Sequence, residues 1–219
     1  MPKAVRKPPL AAAAFTLVEL LVVIGIIVLL VGILVPVVQS AIRSAEKART
    51  EVWVADLGNG CGLYQNDYSF FPGQSQMDQI GEVSDGKKTG SQWLARALVL
   101  GPTQYAEFKA DDLINFPGHK DDGSGINLPE SISDRTSEPM AVLYFPAKIG
   151  LAGMEQYDLD HNIEYVRENG DITSINFQKF LWDKKQPLTP YNPQGFILTA
   201  AGMDRRYLTA DDIKGPGKW

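Results

Sequence analysis

The chain is poor in the residues that make covalent staples and metal centres. One cysteine, Cys61, among 219 residues excludes an internal disulfide. It follows Leu57-Gly58-Asn59-Gly60 far down the chain, where no lipoprotein signal precedes it, and it reads as a small packed thiol. The two histidines, His119 and His161, have no Cys, Glu or His at zinc-ligand spacing. No Gly-x-Ser-x-Gly elbow, phosphate loop or metal-binding His motif occurs, and no internal repeat is visible. A membrane-anchored enzyme or ligand-binding domain would require a convergent catalytic set, and none is present. The formal charge of −5 marks a poor nonspecific binder of nucleic acid.

What is abundant is concentrated near the start. Phe15-Thr16-Leu17-Val18-Glu19-Leu20-Leu21-Val22-Val23-Ile24 opens an apolar stretch reaching Val38, interrupted by one carboxylate, Glu19. About 24 residues at 1.5 Å each give a helix of roughly 36 Å, enough to cross a hydrocarbon core of about 30 Å. An acid inside such a segment costs about 2.5–3.5 kcal/mol, which points to a specific partner for Glu19. Lys3, Arg6 and Lys7 precede the run and hold the N-terminus in the cytoplasm, so the bulk of the chain is expected on the far side. An ordinary secretory signal has its small residues after the apolar core. In this chain Ala11 to Ala14 come before it, and a cut there leaves the helix attached to the mature protein.

This arrangement, with Phe15-Thr16-Leu17-Val18-Glu19, resembles the type IV prepilin signature shared by type IV pilins and the pseudopilins of type II secretion. The resemblance implies a membrane-embedded prepilin peptidase that cuts between Ala14 and Phe15 and N-methylates Phe15. It also implies that Glu19 pairs with the N-terminal amine of a neighbouring subunit. Pro36 falls where these families commonly carry a helix-kinking proline. The family usually has Gly before the cut, and Ala14 is the next smallest side chain. Loss of the leader, residues 1–14, removes three basic residues and takes the net charge from −5 to −8.

Beyond the membrane segment, 15–38, an amphipathic helix is expected over 39–72. Val38, Ala41, Ile42, Ala45, Ala48 and Val52 recur three or four apart, describing one face packed on a domain. A bend or local melting is expected at Pro36, and fraying or a break from Leu57 onward because of Gly58, Gly60 and Gly62. Leu63 to Tyr68 adds a final turn before Phe70-Phe71-Pro72-Gly73 stops the helix. A Tyr followed by an aromatic-Pro exit also resembles the end of the long helix in major pseudopilins.

A globular domain over 73–219 follows. Residues 73–90 read as a polar loop, and Ser91 to Leu100 as a short helix with Ser91 as N-cap and Trp93, Leu94, Ala97 and Leu98 on its apolar face. The region 109–138, with Asp111-Asp112, Asp121-Asp122, Gly123 and Gly125, reads as solvated turns. Met140 to Phe145 and Gly195 to Ala200 read as strands, Ile163 to Val166 as a weaker one, and Ile172 to Phe180 as either strand or helix. The expected class is α+β, a long N-terminal helix packed on a small antiparallel sheet of about three or four strands, the layout of the type IV pilin-like fold.

The tail runs from Gly195 through Ala200-Ala201-Gly202-Met203-Asp204 to Thr209-Ala210-Asp211-Asp212. Three carboxylates in a short loop after a strand can converge on calcium, which takes six to eight oxygens in irregular loops. The stretch resembles the C-terminal calcium loop of major pseudopilins, which implies Asp204, Asp211 and Asp212 as ligands. The family's glycines after the first Asp and before the Thr are replaced by Arg205 and Leu208. Two other readings stay open: Arg205 or Arg206 pairs with Asp211 or Asp212 in place of the metal, or the segment is a capped turn. Asp158-Leu159-Asp160-His161-Asn162 begins like an EF-hand loop, but Ile163 stands where that turn needs Gly.

The resemblance implies a non-catalytic structural subunit of a type II secretion pseudopilus, held in the bacterial inner membrane with its C-terminal domain outside the cytoplasm. Its partners would be prepilin peptidase, further copies of itself, minor pseudopilins, and an assembly ATPase with its platform protein. A divergent type IV or minor pilin, in adhesion or DNA uptake, is the first alternative, and a membrane-anchored extracytoplasmic binding domain the second.

Overall fold

The computed structural model describes residues 16–74, 90–100, 103–114, 131–168, 173–182 and 189–217. Two compact units make it up, residues 1–42 and 43–219. One helix, α1 (Leu17–Tyr68, 52 residues), belongs to both.

In the first unit α1 is uncovered on every side. Its large apolar side chains from Leu17 to Val38 are 45–77% exposed, and a Cβ at Gly25 or Gly32 would meet nothing within 4 Å. A helix that is apolar all round and covered by none of the described residues is suited to lipid, which needs only that the backbone bonds be internal. Among the described residues it is the one helix long and apolar enough to cross a membrane. The helix runs unbroken through Pro36, so the local melting expected there does not occur. Proline removes one donor, and the turns on either side keep theirs.

In the second unit α1 becomes a core element. Its buried positions are Thr50, Trp53, Val54, Leu57, Gly58, Gly60, Cys61 and Tyr64. At about 100° per residue these lie on one side, and Ala41, Ala45, Ala48, Val52 and Ala55 lie roughly opposite. The packed face is therefore not the one expected from the alanine and valine spacing: Val38, Ala41, Ile42, Ala45, Ala48 and Val52 are all exposed. Periodicity locates a face without saying what covers it, and the true packed face is written in Trp, Gly, Cys, Thr and Tyr. Nor does the helix break at its glycines. Gly58 is where Pro216 lies against the helix, leaving no room for a Cβ. The helix ends after Tyr68, where Ser69 takes a left-handed backbone (φ 68°) and its N–H reaches the Gln65 carbonyl at 2.7 Å.

Three antiparallel strands, β3 (Leu143–Pro146), β4 (Phe196–Ala200) and β5 (Ile213–Lys214), form the sheet with β4 central. Leu143 opposes Thr199, and Ala200 opposes Ile213. Both faces are buried, which is why β4 reads as an apolar run broken only at Thr199. Tyr144, Leu198 and Ile213 pack with Trp53, Leu57 and Cys61 of α1. Leu143, Phe145 and Ile197 pack on the other side with Tyr165, Phe177 and Leu181. That second layer holds α3 (Ile163–Glu168) and α4 (Ser174–Leu181). Ile163 to Val166 is thus helical, not a strand, with Tyr165 and Val166 turned into the core. Of the ambiguous 172–180 stretch, the part from Ser174 onward is helix, capped by Thr173, whose hydroxyl accepts the Asn176 N–H at 3.3 Å.

In the short helix α2 (Gly90–Ala95) Gly90 is already helical, so Ser91 is no N-cap. Its hydroxyl is buried without a partner among the described residues, and its N–H bonds Asn162 Oδ1 at 3.2 Å. The chain then widens into one π-type turn over Arg96–Leu100. Trp93, Leu94 and Leu98 do point into the core, as expected. A small pair, β1 (Leu113–Ile114) with β2 (Ser131–Ile132), had no sequence signal. Asp121-Asp122, Gly123, Gly125 and most of the polar loop 73–90 lie outside the described residues.

The expectation of a solvated turn fails at Asp112. It is 5% exposed and takes both Arg135 donors, Nε to Oδ1 at 3.0 Å and Nη2 to Oδ2 at 2.8 Å. Arg135 in turn lies 3.9 Å over the Trp53 ring, and Trp53 Nε1 donates to the Ser133 carbonyl at 3.0 Å. This fork ties two loops to α1. Burial pushes the Asp112 carboxyl up, but the Arg135 and Lys109 N–H bonds outweigh it and hold it below its ordinary value.

Two outcomes are expected. Leu57→Ala costs about 2–5 kcal/mol in chemical unfolding, whereas Val52→Ala on the uncovered face costs little. Comparable losses at both positions would mean that the packed face is misassigned. A depressed native Asp112 value gives stability that is complete above the unfolded carboxylate range, near ~3.9, and lost as pH falls through the folded value. Arg135→Gln should flatten that acid limb in a plot of thermal midpoint against pH.

Candidate functional site

Two places carry the polar chemistry singled out from the sequence: the start of α1 and the loop after β4. Ala14 and Phe15 lie outside the described residues. Glu19 sits in the first turn of α1, where Thr16 and Glu19 bond each other reciprocally. The Thr16 N–H and hydroxyl both donate to Glu19 Oε2 at 2.9 Å, and the Glu19 N–H donates to Thr16 Oγ1 at 3.2 Å. This is a capping box, legible as Thr-x-x-Glu but not read as such from the sequence. It satisfies orphan N–H groups that lipid would leave bare, and places the carboxylate at the helix end where the backbone dipole favours negative charge. Oε1 takes no bond from the described residues, so the acid is held in place while one oxygen stays open to a donor from outside.

The loop 202–212 returns the chain from β4 to β5. Gly202 packs directly on Asp211, with no space for a side chain. Arg205 and Leu208 take left-handed backbones, φ 58° and 63°. These are the two positions at which glycine would be free of steric cost.

Asp204, Asp211 and Asp212 are not drawn to one point. Asp204 Oδ1 accepts the Arg206 N–H at 2.9 Å. Asp211 Oδ2 accepts the Asp204 N–H at 3.2 Å. Asp212 is buried, its Oδ2 taking the Leu208 N–H at 2.8 Å and the Thr199 hydroxyl at 3.1 Å, its Oδ1 the Thr209 N–H at 3.1 Å. The Thr209 hydroxyl lies 2.7 Å from both Asp211 Oδ1 and Asp212 Oδ1, one proton shared between them. Burial raises the Asp212 carboxyl, whereas at Asp211 hydrogen bonds from Thr209 and Asp204 outweigh a smaller exposure loss and lower it. Among the described residues no group of three or more His, Cys, Asp or Glu is disposed to hold a metal ion.

Neither arginine pairs as expected. Arg205 reaches away from Asp211 and Asp212 to Asp134, Nη1 to Oδ2 at 3.2 Å, and to the Thr136 hydroxyl at 3.1 Å. Its Nη2 also meets the Glu138 carbonyl. Asp134 is 71 positions earlier in the chain, in a stretch read as solvated turn, and nothing local marked it.

The remaining candidates are structural. Asp158 caps a one-turn helix over Leu159–Asn162 and pairs with Lys148 at 2.6 Å. His161 packs edge-on against Trp93, and burial lowers its pKa to about 4. Cys61 is fully buried, which pushes its thiol pKa up and leaves it inert as a nucleophile. No family model, curated protein or solved structure matches this chain. The class is defined by the fold itself: an α+β protein whose long apolar N-terminal helix continues as the core helix of a domain built on a small antiparallel sheet.

Thr16→Val removes the hydroxyl from the capping box and should cost about 1 kcal/mol of local stability at the helix start. The check is amide exchange in detergent micelles, faster at Leu17 to Glu19 and unchanged near Trp53, with Thr16→Ser close to wild type.

Proposed function

We propose that this chain is a non-catalytic structural subunit of a pilus-like filament, of the type II secretion pseudopilus kind, inserted by α1 and assembled by side-to-side contact of that helix with further copies. The observation that carries this reading is the division of α1. Its first half is uncovered apolar surface around one acid, and its second half is the core of the globular domain. An anchor alone needs neither the continuity nor the acid. The stripe of Ala41, Ala45, Ala48, Val52 and Ala55, left bare opposite the packed face, supports packing of one helix against a neighbour's. The loop 202–212 adds support, because Arg205 and Leu208 take left-handed backbones, which glycine adopts without cost, at the positions where the major pseudopilins usually carry glycine.

In this reading prepilin peptidase cuts after Ala14 and methylates Phe15, and the assembly ATPase and platform protein lift the subunit out of the inner membrane. Extraction exposes Glu19 to a change of partner. The bonds to Thr16 hold the carboxylate in the free subunit, and Oε1 is open to the amine of a neighbour. A pairing that offsets about 2.5–3.5 kcal/mol of burial cost would set both register and direction of addition.

Mass spectrometry of the membrane-extracted protein should give an N-methylated Phe15 as the first residue. An intact Met1 leader returns the chain to a plain anchor. Glu19→Ala should lower filament formation by at least about tenfold, on the scale of 1.4 kcal/mol per decade, without loss of the folded domain. Filaments at wild-type frequency would remove Glu19 from assembly.

A further inference from the structure

Asp134 is a carboxylate with a fully buried side chain, a position that costs several kcal/mol unless a cation and hydrogen bonds compensate it. Its Oδ1 takes the Met140 N–H at 2.9 Å and the Thr136 hydroxyl at 2.9 Å. Its Oδ2 takes the Arg205 guanidinium. Arg205 thereby closes a ring of contacts joining the loop 202–212 to the segment 134–138, since it also reaches the Thr136 hydroxyl and the Glu138 carbonyl. It does so from a left-handed backbone that costs an arginine roughly 1–2 kcal/mol and glycine nothing. The side chain must return more than that cost for the loop to keep this shape.

We propose that Arg205 is an internal cation that locks the C-terminal loop, so that the loop closes without a divalent metal. Within the loop, the carboxylates a metal would use are turned onto the loop's own donors and the Thr199 hydroxyl of β4. Asp212 faces two backbone N–H groups and two hydroxyls, Asp211 the Thr209 hydroxyl and the Asp204 N–H, and Asp204 the Arg206 N–H. Calcium needs six to eight oxygens pointed at it, and these oxygens instead point at protons. The fixed charge that binds the loop to the rest of the domain comes from Arg205 and falls on Asp134. The lock is a property of the folded domain and stands whether or not the chain enters a filament.

The test is the thermal midpoint of the full chain in detergent, in EDTA and in excess calcium, with a double-mutant cycle between Arg205 and Asp134. The wild type should melt at the same temperature in both solutions. Arg205→Gly relieves the backbone strain but leaves Asp134 unpaired, and should raise the unfolding constant by about a hundredfold or more. Asp134→Asn should restore much of that loss in the double variant, a coupling that a loss of packing at Arg205 would not produce. Arg205→Lys keeps the charge without the fork and should fall between wild type and Arg205→Gly; it also serves if Arg205→Gly does not fold. A wild-type midpoint raised by calcium overturns the proposal, and so does an additive cycle.

Discussion

Burial of one face of α1 against the sheet is the interaction on which the domain depends. Trp53, Val54, Leu57, Cys61 and Tyr64 meet Tyr144, Phe196, Leu198 and Ile213, and no other described element offers the sheet an apolar face of that length. The aliphatic and phenylalanine side chains among these contribute about 1.5–3 kcal/mol of transfer free energy each when fully buried. The close approach at Gly58 and Pro216 lets the C-terminal end of the chain lie on the same helix. The remaining layer, α3 and α4, then covers the opposite sheet face and completes a core in which β3 and β4 have no wet side.

The polar groups follow from that packing. Trp53 is buried with an N–H that needs an acceptor, and the Ser133 carbonyl supplies it. Arg135 lies over the face of the indole and carries its charge to Asp112. Between Ser133 and Arg135, Asp134 is buried in its turn and is matched by Arg205. The segment 131–138 is therefore a bridge between the helix and the C-terminal loop. It is held by two arginine–aspartate pairs and by the Glu46 carboxylate, which accepts the Ser137 N–H at 2.9 Å. Buried charge pairs of this kind seldom add much net stability, but they make misplacement of either partner expensive, and so give these loops a single arrangement.

The local features were legible because their causes are local. The apolar run, the helix exit at Phe70-Phe71-Pro72-Gly73, and the strand Phe196–Ala200 each follow from composition and punctuation over a few residues. The errors share a different cause. Gly58, Gly60 and Gly62 argue for a break by propensity, which packing against Pro216 and Tyr105 overrides. Ile163 to Val166 is short enough for either structure, and its place over the sheet decided for helix. The spacing of Ala41, Ala45, Ala48 and Val52 was sound as a face, but it is the bare one. At the candidate sites, Glu19 was conspicuous because an acid in an apolar helix is costly. The capping role of Thr16 was written in the same four residues.

The sequence by itself determined that this chain has one lipid-compatible helix carrying one acid, followed by an acidic α+β domain without disulfides, because those properties depend on length, hydropathy and residue counts. Only the tertiary structure decided which side of that helix is covered, and that Arg205 answers Asp134 and not its neighbours Asp211 and Asp212. The reason is distance along the chain. Ion pairs across 71 positions, or an indole bonded to a carbonyl 80 positions away, leave no periodic trace in the sequence and arise only when the sheet brings the segments together.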